Sequence, residues 1–143
     1  EESKLGGGGG DRSLSLSVSP ERPKFMDFSQ DTRDFANQDL RGTNLGNLDM
    51  RRCDLSNSDL AEAVLSNSNM NRGKMPNCRF SDCQMANWSA KGADAPGCNF
   101  DRANLEGAKL SKARMMNCSM LSVNLEGADL SYTDLSDVEL CGG

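Results

Sequence analysis

The chain has 143 residues, 36% of them hydrophobic and 26% charged, with a formal net charge of -5 and no histidine. That is material for one domain, and no run of about eighteen apolar residues is present from which a membrane-spanning helix could be made. The missing imidazole excludes Ser-His-Asp and Cys-His catalysis, zinc would have only cysteine and carboxylate to bind, and five Phe, one Trp and one Tyr imply a core that is narrow or repetitive.

The chain starts at Glu1, which reads as a processed mature form or a fragment. Residues 1–32 read as a Gly/Ser-rich arm and cap. Gly6 to Gly10 are a flexible linker by composition; they lack the Lys-Ser/Thr of a phosphate loop and any following helical pattern. Leu14, Leu16 and Val18 alternate with serines, as in a short strand or extended arm. Phe25, Met26 and Phe28 then form an apolar cluster that reads as a cap.

From residue 33 the pattern changes to fives: RDFAN QDLRG TNLGN LDMRR CDLSN SDLAE, continuing to VELCG. The third residue of each five, from Phe35 to Leu140, is a centre, and 20 of the 22 centres are Leu, Met or Phe. A step of five scatters residues around an α-helix and alternates faces on a flat strand. The chain must therefore turn a corner every five residues. The position two before each centre is mostly small (Cys53, Ser58, Ala63, Ser68, Gly73, Cys78 and onward), as an inside corner demands, and the other three are rich in turn-tolerant polar residues. Two positions of each five point in and three point out.

With ANLEG at 103–107, ADLSY at 128–132, SDLAE at 58–62 and VNLEG at 123–127, the sequence resembles the pentapeptide-repeat family, whose motif is roughly A(D/N)LXX. The resemblance implies an all-β fold over residues 33–143, a right-handed quadrilateral β-helix in which four pentapeptides make one coil. About five and a half coils stacked at about 4.8 Å would give a short rod roughly 26 Å long, preceded by the extended N-terminal arm.

The pattern departs from the family where Ala90 and Ala95 occupy successive centres and Trp88 takes a small corner. Either the indole turns inward and fills the vacated volume, or a local bulge helped by Pro96 turns it outward; packing density favours the first. Five of the six cysteines (Cys53, Cys78, Cys83, Cys98, Cys118) sit at small corners and read as reduced, buried thiols. Stacked neighbours about 4.8 Å apart exceed the usual disulfide Cβ separation of about 3.8 Å. Cys141 lies at an outward position. Asp39 should stack over Asp59 and Asp34 over Asp54, a placement able to shift pKa or hold a hard cation; facing water without a base, nucleophile or oxyanion donor, they read as ordinary repeat aspartates. No enzyme, cofactor or metal is expected.

Assigning every fourth pentapeptide to one side makes a charge map. The Met50 side exposes Arg51, Arg52, Arg72, Lys91, Lys109 and Lys112 against Asp49 and Asp129, a net of +4. The Leu40 side and the Phe35 side are each -3, and the Leu45 side is -2. The basic side reads as a docking surface for an acidic protein or anionic head groups, or else as a solvated face that aids solubility. Met116, Leu121, Tyr132 and Cys141 read as apolar or C-terminal contact residues. The last coil, ending at Leu140 and Cys141, should present an open edge suited to an end-to-end second copy, a covering partner or further chain.

The expected function is a non-catalytic interaction or scaffold module with protein-complex subunits as partners and peripheral membrane contact as a further option. The resemblance implies a chloroplast setting, in the thylakoid lumen or associated with the thylakoid, as an accessory subunit of a photosynthetic membrane complex; a cytoplasmic setting is the alternative. Family members that mimic duplex DNA and inhibit type II topoisomerases offer a second reading. The basic side opposes it, and a short basic strip without stacking aromatics disfavours nucleic-acid binding as well. A third reading is the repeat fragment of a larger adaptor of the potassium-channel-tetramerisation type.

Overall fold

The computed structural model describes residues 33–142; the expected arm and cap at 1–32 lie outside the described residues. The residue before each centre pairs in parallel with the residue twenty further on, from Asp34↔Asp54 and Asp39↔Asp59 through to Arg114↔Asp134. One coil is therefore four pentapeptides, with four sides. Most sides are too short to be strands. Only β1 (Ser119–Leu121) and β2 (Glu139–Cys141) extend to three residues, in parallel register Ser119↔Glu139, Met120↔Leu140 and Leu121↔Cys141. Coils are tied by a repeated set of backbone bonds: the Leu40 N–H donates to Asp59 at 2.8 Å, the Asp59 N–H to Gln38 at 3.0 Å and the Gly42 N–H to Ala61 at 2.9 Å.

The corners follow from backbone sterics. Two residues after each centre the chain enters the left-handed region, at φ 60° for Asn37, 62° for Asn47 and 61° for Asn57. The next N–H then closes the turn onto the centre carbonyl, as from Thr43 to Leu40 at 3.2 Å and from Ala63 to Leu60 at 3.0 Å. Asn and Gly dominate these positions because both tolerate positive φ. Gly107 is doubly required: at φ +71° a Cβ there would lie 2.5 Å from Asn87 Oδ1.

The motif's Asp or Asn has a local task that composition alone did not reveal. Its side-chain oxygen accepts the N–H two residues on: Asn44 from Gly46 at 3.0 Å, Asn69 from Asn71 at 3.0 Å, Asp59 from Ala61 at 3.1 Å. These Asx-type turns fix the chain as it leaves each side.

Centres from Phe35 to Met120 are buried, and so are the small corners. Each large buried centre contributes about 1.5–3 kcal/mol. Trp88 is inward, 1% exposed, with its ring 5.6 Å from Phe80 and 6.2 Å from Phe100, which stack on each other at 4.9 Å. The pairings Asn69↔Ser89 and Ser89↔Lys109 run through this level without a bulge. The indole N–H has no acceptor among the described residues. The core opens at the C-terminal end, where Leu125, Leu130 and Leu135 are only half-buried and Leu140 is 56% exposed.

Candidate interaction surface

The cysteines are free thiols, five of them buried at small corners, and the corner geometry gives four of those five an acceptor. A corner hydroxyl or thiol reaches the turn carbonyl of the preceding coil: Ser58 Oγ donates to Phe35 at 3.0 Å, Cys78 Sγ to Leu55 at 2.8 Å, Cys83 Sγ to Leu60 at 2.9 Å, Cys98 Sγ to Met75 at 2.9 Å and Cys118 Sγ to Ala95 at 3.1 Å. Ser58 Oγ also accepts the Gln38 N–H at 3.1 Å, so it bridges the turn below it. Cysteine at this position is thus a small residue with one useful donor. Burial pushes the Cys83 thiol up to about 12 and the Cys53 thiol up to about 11, and it raises Cys98 as well. Neutral thiols of this kind are poor nucleophiles. Cys141 is exposed on β2, beside Leu121 of β1.

The aspartates that stack are occupied by neighbours. Asp39 takes two bonds from Arg41 at 2.7 and 2.6 Å, Asp59 takes Arg79 at 2.9 Å, and Asp54 takes both the N–H and the hydroxyl of Ser56. Asp54 is slightly desolvated, which raises its pKa, but the bonds from Ser56 outweigh this and hold it below the ordinary carboxylate value. No group of three or more potential metal ligands occurs among the described residues, and no helix there is long and apolar enough to cross a membrane.

The charge map gains its meaning from the ion pairs. Arg41, Arg79, Arg102 and Arg114, the arginines on the acidic sides, each hold an aspartate: Asp39, Asp59, Asp82 and Asp94, at 2.6, 2.9, 2.9 and 3.0 Å. On the Met50 side only Arg51 is so engaged, with Asp49 at 2.7 Å. The Arg51 guanidinium holds the Asp49 carboxyl down to about 2. Arg52, Arg72, Lys91, Lys109 and Lys112 are exposed and make no ion pair among the described residues. Asp129, the other acid of this side, accepts the N–H and hydroxyl of Ser131, which lower its pKa and keep it ionised, and the charge of Lys91 acts in the same direction.

The expected apolar contacts are not brought together. Under the twenty-residue register, Met116 lies on the Phe35 side and is half-buried, Leu121 is 37% exposed on the Leu40 side, and Tyr132 is 86% exposed on the basic side. Of the two arrangements open to these residues, one apolar patch or scattered surface hydrophobes, the register gives separate positions, with Leu121 and Cys141 paired across β1 and β2 and Leu140 beside them.

A family model described as pentapeptide repeats matches in 8 copies, over residues 34–57, 49–82 and 89–121, more than half of the chain. The chain belongs to the pentapeptide-repeat family. The fold is accordingly a right-handed quadrilateral β-helix. Similar solved structures include Rfr23, a pentapeptide repeat protein from the cyanobacterium Cyanothece 51142, with 28% identity, TM-score 0.36 and coverage of 64% of this chain and 59% of that one. A pentapeptide repeat protein from the Arabidopsis thaliana thylakoid lumen has 22% identity, TM-score 0.45 and coverage of 73% and 69%. QnrB1, a plasmid-mediated fluoroquinolone resistance protein, has 17% identity, TM-score 0.44 and coverage of 75% and 79%. The chain thus spans less than two thirds of the first of these proteins, and none of the three likenesses bears on function. No curated protein matches the chain significantly.

Proposed function

We propose that this pentapeptide-repeat rod is a non-catalytic interaction or scaffold module that docks through its Met50 side. The observation that carries the proposal is the segregation of unpaired cations: arginines on the acidic sides are neutralised by stacked or adjacent aspartates, whereas Arg52, Arg72, Lys91, Lys109 and Lys112 are left facing solvent. Pairs on an exposed surface contribute only about 0–1 kcal/mol each, so the fold does not need them; Arg41, Arg79, Arg102 and Arg114 on the acidic sides hold an aspartate, whereas among the described residues of the Met50 side Arg51 alone does and five cations do not.

Within this proposal the setting is a chloroplast thylakoid assembly, which rests on the family resemblance in the sequence. A DNA-mimicking topoisomerase inhibitor is the weaker reading, because mimicry needs acidic charge around the rod and one side here is basic. Affinity capture from native membrane and soluble extracts tests the proposal, comparing the wild-type chain with an Arg52→Glu, Arg72→Glu, Lys112→Glu variant. Recovery of a defined stoichiometric complex that the variant loses is expected; recovery of a topoisomerase, or of a complex indifferent to the reversal, refutes it.

A further inference from the structure

We infer that the surface met by the basic side is an anionic lipid bilayer, with the rod lying lengthwise on it; the inference rests on the docking side proposed above and names its partner. The side is straight, because each coil pairs with the next at a constant step of twenty residues. Arg52, Arg72 and Lys112 share one column at the corner, and Lys91 and Lys109 stand on the adjoining columns. From Arg52 to Lys112 is three coil steps, about 14 Å along the axis. Between the cations lie short residues, Asn69, Ser89, Ser111 and Ser131, and the aliphatic stem of Arg72 lies across Gly92, whose added Cβ would be 3.7 Å from Arg72 Cγ.

Two features favour a bilayer over an acidic protein. The five cations are not held in place by partners among the described residues, whereas recognition of a fixed surface gains from preorganised groups; a fluid layer of mobile head groups makes no such demand. Tyr132 continues the corner column at the C-terminal end and is 86% exposed, and an amphipathic ring beside a row of cations is the composition of a membrane-water interface.

The chain's net charge of -5 does not forbid the contact. Each side is a stretch of about three extended residues, so the opposite side is about 10 Å away before side chains are added. Its unpaired acids, including Glu62 and Asp101, therefore lie beyond the screening length of about 8 Å at physiological salt. Of the two flanks, the Leu45 side carries only Glu106 and Glu126 as charges, and the Phe35 side, which borders the corner column, is -3 with Asp94 held by Arg114.

The test is vesicle co-sedimentation of the full chain with pure phosphatidylcholine and with phosphatidylcholine containing about 30 mol% phosphatidylglycerol, at about 0.1 M and 0.5 M salt. Binding to the anionic vesicles alone, lost at the higher salt, is expected. At roughly a fivefold change per surface cation, Arg52→Gln, Arg72→Gln, Lys112→Gln should weaken it by about a hundredfold. Tyr132→Ser should weaken it several-fold, and Lys74→Gln on the Phe35 side should leave it within twofold. Thermal melts of each variant confirm that the rod is intact. Equal binding to neutral vesicles, no binding to anionic ones, or tighter binding to a duplex oligonucleotide than to vesicles overturns the inference. Loss of vesicle binding with retention of a cation-dependent protein complex in the capture experiment overturns the lipid partner alone and leaves the docking side standing.

Discussion

The inward Trp88 compensates for two undersized centres, and a mutant cycle can measure that compensation. Ala90 and Ala95 lack about six heavy atoms relative to leucine at both positions, and the indole supplies about nine beyond alanine. Trp88→Ala should cost about 3–5 kcal/mol, as large-to-small changes at packed aromatic sites do. The lower end is expected, because the substitution also removes a buried indole N–H without an acceptor among the described residues, itself a penalty of about 1–3 kcal/mol. Ala90→Leu alone should overpack the same level by about 1–3 kcal/mol. Combined, the two changes restore the ordinary repeat pattern, and the double variant should return to within about 1 kcal/mol of wild type. Equilibrium urea unfolding followed by circular dichroism is the assay, since fluorescence is lost with the single tryptophan. Simple additivity of the two losses would refute the compensation.

The thiols give a second expectation: in the native protein a chromogenic disulfide reagent should titrate Cys141 quickly and the five corner cysteines only in denaturant, and fast reaction of Cys98 or Cys118 would contradict their burial. Stability should also fall in alkali. The folded state raises Cys53 to about 11 and Cys83 to about 12, so their contribution is complete below the unfolded thiol value and is lost as pH rises through that window, by about 1.4 kcal/mol per pH unit for each thiol. Cys83→Ser should flatten that slope, and an unchanged slope would assign the loss elsewhere. Leu105→Asp places a charge without a partner in a dry core and should abolish cooperative unfolding; a wild-type melt for it would sink the β-helix. Replacing Arg52, Arg72 and Lys112 together by Asn should raise the melting temperature by a few degrees while weakening docking, and a lowered melting temperature would show that these cations support the fold.

A period of five demands a corner every five residues, which made the inward set legible in the sequence; the coil length of four pentapeptides, and with it the stacking of Cys78, Cys98 and Cys118 on one edge, was what the family resemblance implied. Trp88 was legible for the same reason, because an irregular corner had to offset irregular centres. The work of the Asp/Asn before each centre was missed, although its signal was present: a short carboxamide or carboxylate two residues ahead of a turn N–H. The ion pairs could not be read from position. Arg79 reaches Asp59 across coils, whereas Arg51 bends back to Asp49 within its own pentapeptide, and that choice depends on rotamers. Nor did outward spacing foretell that Met116 would be half-buried while Tyr132 stands almost free.

The left-handed corners separate what the fold requires from what it merely permits. On the Phe35 side that column reads Asn37, Asn57, Asn77, Gly97, Asn117, Asp137, and on the Leu45 side Asn47, Asn67, Asn87, Gly107, Gly127, all residues that accept positive φ readily. On the Leu40 side the column includes Glu62, Asp82 and Arg102, and Arg102 closes on Asp82. On the Met50 side it reads Arg52, Arg72, Gly92, Lys112, Tyr132, long side chains in a backbone region that costs residues of this kind about 1–3 kcal/mol each. Nothing in the packing recovers that strain, for these side chains point away from the core and form no ion pair among the described residues. A column that gives up turn stability to carry cations and an exposed ring is the physical ground on which the docking surface is proposed to lie there.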